Sequence, residues 1–192
     1  IVQNQDEEDE DEKTEKLRNR KEIKSPFRTS LVDCENKDAI VLTVSPLEMK
    51  HIRVIEPMGK MSASHVTPTD HLYFGYSNSE NGPSYEVRAM ADGYLVEVER
   101  HRDQGNFQDY RMIFEHSCTF FSYYIHIQII SHQIIERSDL IVELENIPGE
   151  YINENNRGAR NIRIPIKAGD VIGKVGTIRS FDVGVVDTKT TL

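Results

Sequence analysis

Cationic residues are in short supply: 23 Lys and Arg stand against 32 Asp and Glu, a formal net charge of -9. That deficit argues against nucleic acid as a partner, because phosphate binding wants a basic surface that displaces counterions. Long apolar runs are missing too. No stretch approaches the roughly 20 residues needed to span a bilayer, so no transmembrane segment is expected and the chain reads as soluble. It opens Ile1-Val2-Gln3, with neither Met nor a signal-peptide pattern, and reads as trimmed at its start. There are only two cysteines, Cys34 and Cys118, which allow one disulfide at most; neither sits in a CxxC or Cys/His metal spacing, so ordinary thiols are the expectation. The chain lacks Gly-x-Ser-x-Gly and any activated Cys–His context, which leaves serine or cysteine nucleophile chemistry without support. No long amphipathic helical pattern occurs either.

What remains is 192 residues, 38% of them apolar, enough for one domain with a real core plus a tail. Asp6 to Glu12 are seven consecutive acids, and a mixed-charge run follows to Lys24. Residues 1–37 therefore read as a disordered tail, and 38–192 as the folded domain. Within it the pattern is short β-branched runs between turns. Strands are expected at Ala39–Val44, His51–Ile55, Tyr85–Met90 and Tyr94–Arg100, then at Tyr110–His116, Thr119–Ile130, Ile162–Ile166, Val171–Gly176 and Phe181–Asp187. On Tyr94–Arg100, Tyr94, Val96 and Val98 share one face and Glu97 and Glu99 the other, the mark of a half-buried strand. Asn78–Ser84, Ala91–Gly93, Lys167–Asp170 and Asn153–Gly158 are turns or loops by composition. The fold class is all-β and antiparallel.

The chemistry concentrates in His65-Val-Thr-Pro-Thr-Asp70-His71, two imidazoles and a carboxylate of the zinc-donor type beside a stiffening proline. The alternative reading is a strand-entry turn in which Asp70 accepts backbone N–H bonds. Further along, His126 and Tyr124 lie on the more polar face of the Thr119–Ile130 run. His116 reads as a hydrogen-bonded strand-end histidine, and His51, His101 and His132 as surface residues.

Two blocks, Val87-Arg-Ala-Met-Ala-Asp-Gly-Tyr-Leu-Val96 and Ile166-Lys-Ala-Gly-Asp-Val-Ile-Gly-Lys-Val175, resemble the paired half-motifs of the duplicated hybrid-motif, lipoyl-like β fold. Between them, a strand ending in His116 and a Tyr124-Ile-His126 triplet are similar to the central strands of lysostaphin-type zinc endopeptidases. With the early His65–Asp70 motif, the resemblance covers roughly residues 50–187. It implies zinc held by His65 and Asp70, with His126 assisting the water and transition state. The family's late His-x-His is replaced by Asp182-Val-Gly184, and four residues rather than three separate His65 from Asp70. A third ligand would have to come from His71, His116 or Asp182, with Asp182 best placed. A catalytic zinc keeps three protein ligands and an open water position, so the resemblance implies a degenerate site. The expected role is a non-catalytic module whose groove, lined by His65, Asp70, His71, Tyr124, His126 and Asp182, binds a peptide, glycan or partner protein. An active zinc hydrolase and a structural accessory domain cut at its C-terminus are the alternatives. The family's setting implies an extracytoplasmic location. Lipoyl or biotin attachment is not expected, since Lys167-Ala-Gly-Asp170 lacks the flanking residues of those carriers.

Overall fold

The computed structural model describes residues 42–61, 67–100, 108–137 and 158–188, with the backbone alone at 158–161. The fold is all-β, and every strand pairing is antiparallel. The strands are β1 (Ile52–Glu56), β2 (Leu72–Tyr76), β3 (Tyr85–Arg88), β4 (Gly93–Arg100), β5 (Tyr110–Glu115), β6 (Phe120–Ile127), β7 (Ile129–Ile130), β8 (Gly158–Ile166), β9 (Val171–Val175) and β10 (Ser180–Asp187). One four-residue helix, α1 (His132–Ile135), follows β7. No helix among the described residues is long and apolar enough to cross a membrane.

Seven strands form one sheet in the order β1-β2-β10-β6-β5-β4-β8, and β3-β9-β7 form a second. Pro165, which cannot donate to a ladder, is tolerated because β8 is an edge strand. Alternation along the strands divides the large sheet into two faces. Phe74, Tyr76, Leu95, Val98, Met112, Phe114, Tyr124, Phe181 and Val183 pack with Val87, Ile130, Ile172 and Val175 of the small sheet in the main core. The other face carries a smaller cluster of Val96, Ile113, Phe121 and Tyr123, flanked by Ile125 and Val186.

Most expected strands are present, with shifted ends. Residues 42–44 are not a strand: the amides of Thr43 and Val44 both donate to the Met90 carbonyl, which curls the segment over the turn after β3. The Ala39–Val41 part of that expected strand, the tail, and the Asn153–Arg157 part of the expected loop lie outside the described residues. Tyr94–Arg100 departs from simple alternation. A bulge between Leu95 and Glu97 puts Leu95 and Val98 on the core face and Val96 on the other, while Tyr94 is exposed. Glu97 and Glu99 are buried rather than solvated; Arg111 on the neighbouring strand approaches them at 3.4 and 3.0 Å. The expectation of ordinary thiols is corrected as well: Cys118 is disulfide-bonded.

Candidate functional site

The segment entering β2 is clasped before the strand begins. Gly59 N donates to the Thr69 carbonyl at 2.8 Å and Thr69 N to the Lys60 carbonyl at 3.1 Å, so Asp70 and His71 leave a fixed turn. His71, Tyr73 and Gly75 then share the face of β2 turned away from the main core. On β10 the same face carries Ser180, Asp182 and Gly184. Register places Tyr73 and Ile125 on either side of Asp182, and Tyr123 beside Gly184.

Asp182, 4% exposed, is the centre of this face. Its Oδ2 lies 3.4 Å from His71 Nε2 and 3.5 Å from His126 Nε2. Each imidazole is held at its other nitrogen by a second carboxylate: His71 Nδ1 donates to Asp70 Oδ1 at 2.8 Å, and His126 Nδ1 to Asp109 Oδ2 at 3.0 Å. The result is a chain of alternating carboxylates and imidazoles, Asp70, His71, Asp182, His126, Asp109. Asp70 is exposed at one end and Asp109 is buried at the other.

His126 reaches this chain through an irregular backbone. Its φ of 70° is the only positive value at a non-glycine among the described residues. Met112 pairs with Tyr124 and Tyr110 with Ile127, so Ile125 and His126 together lie opposite Arg111 alone. Regular alternation from Tyr124, which is in the core, would point residue 126 inward; the bulge turns its imidazole toward Asp182. A left-handed conformation at a bulky residue costs roughly 1–3 kcal/mol, which the Asp109 and Asp182 contacts must offset.

Electrostatics follow from these contacts. For His126, burial opposes the charged form, but the hydrogen bond to Asp109 and the charges of Asp109 and Asp182 hold the imidazole above its ordinary 6.5. Asp70 feels some burial, yet hydrogen bonds with His71 and Tyr123 keep its carboxyl below the usual value. Burial and the negative charges of Asp182, Glu56 and Asp70 push the Tyr73 phenol up. The His126 Nδ1 proton faces Asp109, and in the charged ring the Nε2 proton faces Asp182, so both carboxylates favour the imidazolium.

Of the residues singled out from sequence, Asp70, His71, His126 and Asp182 come together, and His65 lies outside the described residues. Tyr124 does not join them. Its ring is 1% exposed in the main core, where the hydroxyl accepts from Met90 N at 3.1 Å and reaches the Arg88 carbonyl at 3.4 Å. His116 is also apart, bonded through Nδ1 to the Asp92 carbonyl and through Nε2 to Ser122 Oγ, and burial lowers its pKa. Lys167 pairs with Asp92 at 2.8 Å across the turn before β9. Sequence reasoning passed over Asp109, which ends a polar stretch just before β5, and over Tyr73 and Tyr123. The β2 alternation with His71 is the signal that could have found Tyr73.

The ligand set of the lysostaphin-type resemblance fits the described residues poorly. Asp70 and Asp182 meet His71 at its two different nitrogens, whose lone pairs diverge, so the ring stands between the carboxylates. No group of three or more His, Cys, Asp or Glu side chains among the described residues is placed to hold a metal ion. At Gly184, which the resemblance aligns with a late histidine, an added Cβ would collide with the Cζ, Cε1 and hydroxyl oxygen of Tyr123. The Tyr123 ring fills that space, and its hydroxyl donates to the Asp70 carbonyl at 3.2 Å. No protein-family model matches the chain, and comparison with curated proteins finds no relative.

Proposed function

We propose that the domain is a non-catalytic binding module of lysostaphin-like, duplicated hybrid-motif descent. Its groove is the outer face of β2, β10 and β6, and its ligand is a peptide, a glycan or a partner protein. One observation carries the reading: the Tyr123 ring occupies the space over Gly184 where a zinc-binding histidine would have to stand. The carboxylate–imidazole chain beneath it presents hydrogen-bonding groups in fixed orientations, with the half-buried Tyr73 as an aromatic wall. His71 and the Tyr73 ring meet edge to face, with centroids 4.9 Å apart. Such a surface suits recognition, because its polar groups are positioned before a ligand arrives. The Cys118 disulfide fits an oxidising, extracytoplasmic setting.

The zinc hydrolase is the second reading, and a specific observation favours it. Both imidazoles turn Nε2 toward one carboxylate while carboxylates hold Nδ1, the way metal-binding histidines are commonly oriented. Zinc content and thermal unfolding with and without chelator separate the two. The binding module keeps its Tm when chelator is added and carries substoichiometric zinc. A hydrolase holds about one zinc per chain, loses it in His71→Ala and Asp182→Asn, and unfolds at lower temperature in chelator. That second outcome would overturn the proposal.

A further inference from the structure

A cleft of about 280 Å³ opens beside the Asp182 cluster, lined by Arg53, Val54 and Glu56 of β1, Tyr73, Gly75 and Tyr76 of β2, and Arg179 with Ser180 at the start of β10. It belongs to the same face. Register puts Glu56, Tyr73 and Asp182 in one cross-strand row and Val54, Gly75 and Ser180 in the next. Tyr73 thus stands in both the cleft and the cluster.

Three features give the cleft a chemistry. Arg53 is the extra residue of a bulge, since Ile52 pairs with Tyr76 and Val54 with Gly75; bulges re-aim side chains and recur beside functional sites. Gly75 keeps the floor low: an added Cβ would lie 2.6 Å from Val54 Cγ1, so no side chain fits there without closing the gap. Lys50, Lys60, Arg88, Arg111, Arg163 and Lys167 all pair with carboxylates, yet among the described residues the guanidiniums of Arg53 and Arg179 make no hydrogen bond or ion pair. The nearby Glu56 is engaged by Lys60 instead.

We infer that this cleft is a carboxylate subsite, in which Arg53 and Arg179 hold the carboxylate of a peptide ligand whose chain continues over Tyr73 toward Asp182. Guanidinium presents a planar fork that matches the two oxygens of a carboxylate. A dianionic phosphate would meet Glu56 and the acidic surface, whereas a single negative charge is tolerated. Val54, 50% exposed, gives the cleft an apolar wall that suits an aliphatic residue beside the carboxylate better than a ring of sugar hydroxyls. The inference deepens the groove reading and rests on it for the direction of the chain, but the place of both arginines in the cleft lining is independent of it.

The test is an NMR titration of the full 192-residue chain with three probes: N-acetyl-Gly-Ala-Leu as the free acid, the same peptide amidated, and amidated N-acetyl-Gly-Glu-Gly. The expected result is shifts confined to β1, β2 and residues 179–182 with the free acid, and binding at least about tenfold weaker with the amide. A loss of about tenfold is likewise expected in Arg53→Gln and in Arg179→Gln. If the Glu peptide binds equally and with the same arginine dependence, the subsite accepts a side-chain carboxylate as well as a C-terminus, and it holds. Equal binding of acid and amide, indifference to both arginine substitutions, or no shift at about 10 mM probe overturns it. Asp182→Asn separates the two levels: if it leaves acid binding intact, the subsite stands while the groove reading loses its ligand; if it weakens acid binding while the arginine dependence persists, both stand.

Discussion

Replacing Gly184 by alanine tests the packing on which the functional reading rests. The new methyl would fall closer than 3.0 Å to three atoms at the end of the Tyr123 ring. A tyrosine end can swing away cheaply when it is exposed, but Tyr123 is 3% exposed and packed with Val96, Ile113 and Phe121. Overpacking of this kind costs about 1–3 kcal/mol, and loss of the Tyr123 bond to the Asp70 carbonyl adds about 0.5–1.5 kcal/mol. Gly184→Ala should therefore destabilise by about 1.5–4.5 kcal/mol, a fall in Tm of roughly 3–18 °C for a domain of this size. Urea unfolding of Gly184→Ala, Tyr123→Leu and the double variant gives the coupling directly. With leucine at 123 the obstacle is gone, so the added methyl should then cost less than about 1 kcal/mol. A Gly184→Ala chain within about 0.5 kcal/mol of the parent, or a penalty undiminished in the Tyr123→Leu background, would refute the claim that Tyr123 occupies this space.

Two histidines should give opposite pH responses. His126 has a raised pKa, so its contribution is fully present below the ordinary 6.5 and is lost as pH rises through the folded-state value; His126→Gln should flatten that limb of a stability–pH curve. His116 has a lowered pKa, so stability falls as pH drops below 6.5 toward the folded-state value, and an acid limb should persist in His126→Gln. Asp182→Asn should lower the His126 pKa, read from its ring resonances by NMR, because one of the charges raising it is gone; an unchanged value would show that Asp109 alone sets it. Arg111→Met should cost about 3 kcal/mol or more in urea unfolding, since Glu97 and Glu99 are buried beside that guanidinium.

The strand inventory was legible because apolar alternation and turn residues are local signals, and Tyr110, Met112 and Phe114 face the core as their spacing required. What sequence concealed were the places where alternation breaks. The bulge at Leu95–Glu97 shifts the phase of β4, so that Leu95 and Val98 share the main core and both sides of the strand are buried, with the two apparently solvated glutamates beside Arg111. The bulge and positive φ at His126 do the same on β6, taking the histidine out of the phase of Tyr124 and toward Asp182. Neither departure leaves a mark such as glycine in the sequence. Asp70, His71, His126 and Asp182 were legible as donors because their chemistry is unusual in a strand. Their pairing order, with His71 between two carboxylates and Asp109 behind His126, depends on which strands adjoin, and that is a property of the whole sheet.

That strand order also sets a timetable. Among the described residues, β1 and β2 join the rest of the large sheet only through β10, which sits between β2 and β6. As the chain emerges from the ribosome, the β4–β5–β6 meander can form early, while the β1–β2 hairpin waits for residues 180–187 to be made. Because Asp182 arrives on that same strand, the acidic cluster and the cleft beside it are assembled in the closing step of folding. A nascent or truncated chain lacking β10 would hold a partial sheet with its binding face still unmade.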